Sequence, residues 1–207
     1  MQKTILPREV IVRLPKYLRY LREFALHDKT KVSSGELAEK LGITASQVRR
    51  DLGQLGVNGH NGFGYLINEA HRKIAEEVGL YDSQKVAIIG AGNIGHALTG
   101  HRMFRGRGFE LIGIYDRDPK LIGTVVNGHQ VKDVESLKDI PEPERPGIIV
   151  LATSSESAEE TARFAASLGI RAILNFCYTD LEFDDMLIEN VHIDDSLMML
   201  SYQLSHN

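Results

Sequence analysis

The sequence predicts an α/β protein in which a small helical domain precedes a domain built around a parallel β-sheet. Two capped helices in "SSGELAEKLGITASQVRRDLGQLG" predict the first domain. The second is predicted by the strands "KVAIIG", "FELIGIYD", "GIIVLAT" and "RAILNF", which alternate with helical stretches as in a sheet buried on both faces. The predicted boundaries are residues 1–80, residues 81–190 and a terminal helical segment, residues 191–207.

The first predicted element is a long helix over residues 8–27. Apolar side chains spaced three and four apart would form its buried face: Ile11, Leu14, Leu18, Leu21 and Ala25. Pro15 leaves two interpretations open, because a proline in such a pattern marks either the start of the helix or a kink within it.

Two short helices follow, each with a predicted capping box at its start: Ser33 with Glu36, and Thr44 with Gln47. Gly42 lies in the turn between them, and the second helix carries the adjacent Arg49 and Arg50. Capped helices joined by a short turn are typical of a helix-turn-helix, whose second helix enters the major groove of DNA. The alternative for the two arginines is a helix face that only meets solvent.

The glycine-rich stretch "VNGHNGFGYLI" precedes a short β pattern and predicts a hairpin wing. Asn68 is the predicted cap of a further helix that runs through Val78, with Gly79 as its stop. Together these elements would complete a winged-helix domain.

The strand and helix alternation of the second domain continues towards the end of the chain. A weaker region with prolines at 141, 143 and 146 predicts a surface loop before "GIIVLAT". A helix is predicted from about Ser157 to Leu168. The tail "NVHIDDSLMMLSYQLSHN" predicts one more strand and a terminal helix capped by Asp194 or Asp195.

A glycine loop of the dinucleotide-binding type follows the first strand of this Rossmann-type domain. Gly90 would permit the turn, Gly92 would let the backbone approach a pyrophosphate, and Gly95 would let the helix pack closely. Asp116 ends the next strand, where a carboxylate accepts hydrogen bonds from an adenosine ribose, which favours NAD(H) over NADP(H). The adjacent Arg117 could weaken this preference. The alternative is a tight strand–helix turn that binds no ligand.

The sequence does not predict catalysis or a metal site. A dehydrogenase needs an acid or base beside the nicotinamide and a pocket for its substrate. The candidates are more typical of surface or packing residues: His96, His101, Cys177 and His192. About 30 residues remain outside the Rossmann unit, too few for a substrate domain. A single cysteine excludes a cysteine zinc cluster, and the histidines form no H-x-x-H pair.

Charge and hydropathy indicate the expected partners and location. The net charge is −4, but residues 1–80 hold 13 Lys and Arg against 9 Asp and Glu, whereas the remainder holds 11 against 19. The basic first part suggests either a polyanion partner or a solvated face. Apolar runs such as "IIVLA" are far shorter than the roughly 18 residues of a membrane span. Early charges, Lys3 among them, interrupt any signal-peptide core, so a cytoplasmic location is expected.

Stretches along almost the whole chain resemble the Rex family of bacterial redox-sensing transcriptional repressors. In order they are "LPKYLRYL", "VSSGELAEKLGITASQVRRDL", "GFGY", "GAGNIGHAL", "FRGRGFEL", "DRDP", "ILNF" and "IENV". The resemblance implies a homodimer in which each carboxy-terminal helix swaps across to lie between the two domains of its partner. It also implies that operator DNA is bound when NAD⁺ prevails and released when NADH binds, so that the nucleotide is an effector.

The motifs and the resemblance together give three sets of predicted site residues. The DNA-binding set is Lys31, Ser46, Gln47, Arg49, Arg50, His60 and Asn61. The set that binds NAD(H) is Gly90, Ala91, Gly92, Asn93, Ile94, Gly95, Asp116, Arg117, Thr153, Ser154, Asn175 and Phe176. The set implied to couple the nicotinamide to domain movement is Arg19, His101 and His192.

Departures from the family pattern gather where the nicotinamide half is expected. His101 and His192 stand where the family has tyrosine and aspartate. "ATS" at 152–154 replaces Thr-Val-Pro, and "NFCY" at 175–178 replaces Asn-Phe-Ala-Pro. Since a histidine pair titrates between about pH 5 and 8, a weaker and pH-dependent release by NADH is expected.

One further departure lies in the wing, where Asn61 replaces the arginine of the family's Arg-Gly and loses a charge suited to the minor groove. His60 could compensate in part. Two alternatives to the main interpretation stay open. One is a small NAD-dependent oxidoreductase with an amino-terminal dimerisation module, and the other is a Rex-like regulator whose effector is another nucleotide.

Overall fold

The computed structural model describes residues 6–59, 63–104 and 108–206. The chain forms two compact units, Met1–Asp82 and Ser83–Asn207. Each unit has its own buried apolar core.

The first unit is mainly helical. Its elements are α1 (Arg8–Ile11), α2 (Leu14–Leu26), β1 (Lys31–Val32), α3 (Ser34–Leu41), α4 (Ala45–Gln54), β2 (Tyr65–Leu66) and α5 (Ile67–Glu77). Side chains from α2, α3, α4 and α5 meet in one core, whose fully buried members include Tyr17, Leu21, Leu37, Val48, Leu52 and Ile74. Burial of these side chains fixes α4 on the other helices of the unit.

The predicted first helix is two helices, with α1 ending before Val12 and α2 beginning at Leu14. Pro15 lies in the first turn of α2, where a missing backbone N–H costs little, so it marks a helix start and not a kink. The predicted buried face is wrong at both ends, since Ile11 and Ala25 are exposed. Tyr17 is buried instead, because its hydroxyl finds a buried partner on α4.

The helix-turn-helix prediction is confirmed, with α3, a left-handed turn at Gly42 (φ 68°) and α4. Ser33 and Glu36 form a complete capping box, in which each side chain accepts the other's backbone N–H. The second predicted box is only half present. Thr44 caps α4 by accepting from the N–H of Gln47 at 3.1 Å, but the Gln47 amide turns away to a buried acid on α4.

The wing differs from a local hairpin in the part of the chain that the structure describes. Strand β2 pairs antiparallel with β1, with Lys31 opposite Leu66. The pairing brings together segments more than 30 residues apart, which a local pattern does not reveal. Asn68 is also not a cap, because α5 begins at Ile67 and places Asn68 in its first turn. Gly79, at φ 71°, follows the end of α5 as predicted.

The second unit is a seven-stranded sheet flanked by helices. Its elements are β3 (Gln84–Ile89), α6 (Asn93–Thr99), β4 (Phe109–Asp116), β5 (Val125–Val126), β6 (His129–Asp133), β7 (Ile148–Leu151), α7 (Ser155–Ser167), β8 (Ala172–Asn175), β9 (Leu187–Asn190) and α8 (Ile193–His206). The strand order is β5-β6-β4-β3-β7-β8-β9, and every pair is parallel except β5 with β6. This confirms the predicted Rossmann-type parallel sheet.

Successive residues of the central strand β3 enter different cores. Ala87 and Ile89 join one apolar cluster, and Val86 and Ile88 join the other. The sheet is therefore covered on both faces, which explains the continuous apolar runs of its strands. The order of strands reverses around β3, so the loops after β3, β4 and β7 meet at the carboxyl edge of the sheet, where nucleotides bind in such folds.

Two local predictions for this unit are corrected. The antiparallel pair of β5 and β6 lies in the weaker region, where no strand was predicted. Helix α8 begins at Ile193, so Asp194 and Asp195 occupy its first turn and neither is its cap. Acidic residues in a first turn still favour the helix by opposing its dipole.

Candidate nucleic-acid and nucleotide sites

The outer face of α4 is the candidate nucleic-acid surface. Ser46, Arg49 and Arg50 are exposed on it, while Val48 and Leu52 anchor the opposite face in the core. The Arg49 guanidinium donates to the hydroxyls of Ser46 at 3.0 Å and of Ser34, on α3, at 3.1 Å. Helix α4 is held in place by its buried face and carries positive charge on its exposed face.

A buried carboxylate, not predicted from the sequence, lies on the inner face of α4. Asp51 is fully buried and accepts from Arg13 at 2.7 and 2.8 Å, from the Tyr17 hydroxyl at 3.1 Å and from the Gln47 amide at 2.7 Å. Burial raises the pKa of Asp51, but the hydrogen bonds from Arg13, Gln47 and Tyr17 outweigh it and lower the pKa. The carboxylate therefore stays ionised and links α2 to α4. The sequence signal that could have indicated this role is an aspartate directly after two arginines on a predicted helix.

The described part of the wing pairs a cation with an aromatic ring. The Lys31 ammonium lies 4.6 Å from the centre of the Phe63 ring, and both border a groove of about 280 Å³ with Gly64 and Leu66. Phe63 is exposed and was missed by the sequence analysis, although an aromatic residue between two glycines is visible there. His60 and Asn61 lie outside the described residues.

The glycine loop has different space around each of its three glycines. Gly90 has φ 108°, and an added Cβ would overlap the carbonyl of Ala152. A Cβ at Gly95 would overlap the carbonyl of Gly90, so this glycine lets α6 approach the loop. Nothing lies within 4 Å of a Cβ added to Gly92. The space at Gly92 is what close approach of a phosphate group requires.

Asp116 organises the loop from the end of β4. Its Oδ2 accepts from the N–H of Ala91 at 2.6 Å, and its Oδ1 accepts from the N–H of Arg117 at 2.7 Å and of Asp118 at 2.9 Å. A carboxylate offers about four acceptor positions, so Oδ2 retains one for a further donor such as a ribose hydroxyl. The Arg117 side chain pairs with Glu160 on α7 at 2.6 Å, which draws it to that helix.

The remaining predicted nucleotide residues fall into two groups. Ala91 is buried, while Asn93 and Ile94 are exposed at the start of α6. Thr153 and Ser154 follow β7, and the Thr153 hydroxyl lies 3.6 Å from the sulfur of Cys177.

Asn175 has a structural role within the second unit. It is fully buried, donates to Asn190 Oδ1 and the carbonyl of Thr179 at 2.8 Å each, and accepts from the N–H of Cys177 at 2.9 Å. These bonds hold the chain after β8, where Phe176 packs against the core.

His101 and His192 have separate partners. His101 Nδ1 accepts from the N–H of Met103 at 3.2 Å, whereas His192 Nε2 lies 2.6 Å from Asp180 Oδ1. The hydrogen bond with Asp180, with nearby acidic charges, raises the pKa of His192. No hydrogen bond joins the two histidines among the residues described.

Arg19, in the first unit, lies over the ring of Tyr20 at 5.0 Å. In the described ranges of the chain, no group of three or more His, Cys, Asp or Glu side chains is arranged to hold a metal ion. Over the same ranges, no helix combines the length and apolar character needed to cross a membrane.

Family models match both parts of the chain. The model described as "Putative DNA-binding protein N-terminus" matches residues 5–53, and the one described as "CoA binding domain" matches residues 82–179. Among curated relatives, the redox-sensing transcriptional repressor Rex of Thermoanaerobacter sp. (strain X514) is 40% identical over 99% of this chain and 92% of its own. The repressor of that name from Clostridium perfringens (strain 13 / Type A) is 41% identical over 96% of this chain and 94% of its own.

Comparison with solved structures indicates the same family as comparison with curated relatives. RSP, described as a Rex-family repressor, is 40% identical with a TM-score of 0.88 over 98% of this chain and 95% of its own. RSP in complex with β-NAD⁺ and operator DNA is 41% identical with a TM-score of 0.89, over 98% of this chain and 94% of its own. RSP in complex with β-NADH is 40% identical with a TM-score of 0.87, over 98% of this chain and 96% of its own. These relatives are named as repressors and not as enzymes. The chain belongs to the Rex family of redox-sensing transcriptional repressors.

Proposed function

We propose that this chain represses transcription by binding operator DNA and responds to the NADH/NAD⁺ ratio, without catalysing a reaction. The observation that carries the proposal is the near-complete match to RSP, which was crystallised with β-NAD⁺ and operator DNA and separately with β-NADH. The proposed direction is that operator DNA is held with NAD⁺ and released with NADH. NADH then acts by favouring a state that does not bind DNA.

The proposed DNA contacts lie on α4 and in the wing. Arg49, Arg50 and Gln47 would reach base edges or phosphates in the major groove, with Ser46 and Lys31 on the phosphates. The exposure of the arginines, Ser46 and Lys31, and the partial exposure of Gln47, support this assignment. His60 and Asn61 complete the proposed wing contact.

The proposed nucleotide site lies at the glycine loop. The residues fit a dinucleotide, because Gly92 leaves open space for the pyrophosphate and Asp116 retains an acceptor for the ribose. The same carboxylate would repel a 2′-phosphate, and Arg117 is engaged by Glu160. We therefore expect NADH to be preferred over NADPH. The residues after β7 and β8 would face the nicotinamide half.

The proposed assembly is a homodimer built through α8. This helix exposes Ile193, Leu197, Leu200 and Leu204, whose spacing of four, three and four places them on one face. A second copy that receives this helix between its domains would bury the face. We retain 1–80, 81–190 and 191–207 as the functional parts of the chain. Operator binding implies a cytoplasmic location.

An operator-shift titration tests the proposal directly. A labelled duplex carrying the RSP operator is incubated with the full chain and with NAD⁺, NADH, NADPH or ADP separately. We expect the shifted band to persist with NAD⁺, to disappear with NADH and to need much more NADPH. Absence of any shift would contradict DNA binding. Equal release by ADP and NADH would instead indicate a regulator whose effector has changed.

A further inference from the structure

The side chain of Gln47 is held in one orientation by Asp51. The Gln47 amide lies 2.7 Å from Asp51 Oδ1, and an ionised carboxylate can only accept hydrogen bonds. The amide must therefore direct Nε2 towards Asp51 and Oε1 away from it. The two other donors to this carboxylate, Arg13 and Tyr17, come from the preceding part of the unit and fix the acid itself.

Gln47 stands where a recognition helix contacts base edges. It is the third residue of α4 after the cap Thr44, it is half-exposed, and its neighbour Ser46 is exposed. Residues near the amino terminus of a recognition helix are the ones that reach the major groove. The part of Gln47 that is free to meet a base is therefore Oε1, an acceptor, with the second hydrogen of Nε2 beside it.

Base edges differ in what they offer to such an acceptor. In the major groove adenine presents its N6 amine and cytosine its N4 amine, whereas guanine presents only O6 and N7 and thymine presents O4 and a methyl group. Oε1 would be repelled by the acceptors of guanine and thymine. An unrestrained glutamine could rotate its amide by a half turn and donate to those bases instead.

We infer that Asp51 is a positioning residue which gives Gln47 a preference for a base that carries an exocyclic amine, adenine or cytosine, because only such a base engages Oε1. The inference rests on the proposed function, because it requires α4 to lie in the major groove. It assigns part of the operator specificity to a side chain that touches no DNA.

The test begins with selection of binding sequences. The full wild-type chain and Gln47→Ala each select from a duplex library with a randomised core. The position at which only the wild-type chain shows a preference is the one that Gln47 reads. Affinities are then measured for selected duplexes in which the base there lacks its amine, with purine replacing adenine or pyrimidin-2-one replacing cytosine.

We expect loss of the amine to weaken wild-type binding by about tenfold and to leave Gln47→Ala unchanged. Asp51→Asn should show no dependence on the amine while its salt dependence, which reports phosphate contacts, stays at the wild-type value. Gln54→Ala, which removes an exposed glutamine from the other end of α4, should keep the full dependence. Circular dichroism and a cooperative thermal unfolding transition confirm that each variant is folded.

The outcomes separate this inference from the proposed function. If no sequence is enriched, the proposed function fails and the inference fails with it. If sequences are enriched but wild-type affinity does not change on removing the amine, only the inference is overturned. A folded Asp51→Asn chain that still depends on the amine would also overturn it. If Asp51→Asn does not fold, the wild-type chain decides: equal affinity for duplexes with guanine or thymine at that position would overturn the inference, because only an amide that is free to rotate could bind them equally well.

Discussion

Arg49 and Arg50 are adjacent on α4 but have different surroundings. Arg49 is held by the hydroxyls of Ser34 and Ser46, so it helps to join α3 to α4. Arg50 is exposed and makes no ion pair or hydrogen bond with the residues that the structure describes. A side chain with its donors uncommitted can give all of them to DNA, so Arg50 is the better test of a base contact.

We therefore predict that Arg50→Ala weakens operator binding by about 1 to 3 kcal/mol, the range for a direct base contact. NADH affinity should not change, because the substitution lies in the other unit. Fluorescence anisotropy at fixed salt measures operator affinity, and calorimetry measures NADH affinity. The control is Arg72→Ala, which removes the same charge from α5. Equal losses from both substitutions would show that only net charge matters.

The pair of His192 and Asp180, 2.6 Å apart, predicts a pH-dependent contribution to the stability of the second unit. Because the hydrogen bond with Asp180 raises the folded-state pKa of His192, the protonated histidine stabilises the folded state. The effect is complete below the ordinary pKa of 6.5 and is lost as pH rises through the raised folded-state pKa.

Asp180→Asn is thus predicted to lower the Tm of the chain more at about pH 6 than at about pH 8. Calorimetry across this range measures the difference between the two proteins. Asp184→Asn, a nearby exposed acid, is the matched control for loss of charge. A Tm difference that does not vary with pH would show that the histidine stays in one protonation state.

At the scale of single elements, the turn from β3 into α6 contains one glycine that the fold requires and another that the proposed nucleotide site requires. Gly95 is closed in by the carbonyl of Gly90, whereas Gly92 is open. The two glycines therefore serve different purposes within one loop, and alanine can distinguish them.

Gly95→Ala should destabilise the chain by about 1 to 3 kcal/mol, because its Cβ has no room. Gly92→Ala should change the free energy of unfolding by less than about 0.5 kcal/mol. It should nevertheless lose most NADH affinity, since the Cβ occupies the space for the pyrophosphate. Urea titration and calorimetry provide the two measurements. Wild-type NADH affinity in Gly92→Ala would place the phosphates elsewhere.

The elements that the sequence predicts well are those with local causes. The capping box of Ser33, the turn at Gly42 and the strands of the parallel sheet all follow from neighbouring residues. Distant partners explain the failures: β2 pairs with β1, and Tyr17 is buried because Asp51, 34 residues away, receives its hydroxyl. Periodicity cannot report such partners.

The candidate site likewise combines features that follow from local sequence with features that depend on residues distant in the sequence. The glycine loop and Asp116 were visible as a motif with known spacing. The restraint of Gln47 by Asp51, and of Arg117 by Glu160, depends on side chains that meet only in the folded chain.

For the whole molecule, the exposed apolar face of α8 carries the prediction about assembly. Leu197→Glu combined with Leu200→Glu should convert the proposed dimer to a monomer of 23.1 kDa, because two charges would enter its interface. Sedimentation equilibrium measures the mass. Gln203→Glu, on the same helix but about 90° from the centre of that face, should leave the mass unchanged. A monomeric wild-type chain would contradict the proposed assembly.

The hydrogen bonds of Asp116 also decide when the glycine loop becomes ordered. Fixing a backbone residue costs about 1 to 2 kcal/mol of conformational entropy, and the hydrogen bond from the N–H of Ala91 to this carboxylate offsets part of that cost within the chain itself. Oxidised and reduced nucleotides share their adenosine half, so both would gain the same affinity from the proposed adenosine site. A difference in affinity between NAD⁺ and NADH would consequently arise at the nicotinamide half, and substitutions there would be expected to retune the ratio at which the proposed repressor leaves its operator without loss of nucleotide binding.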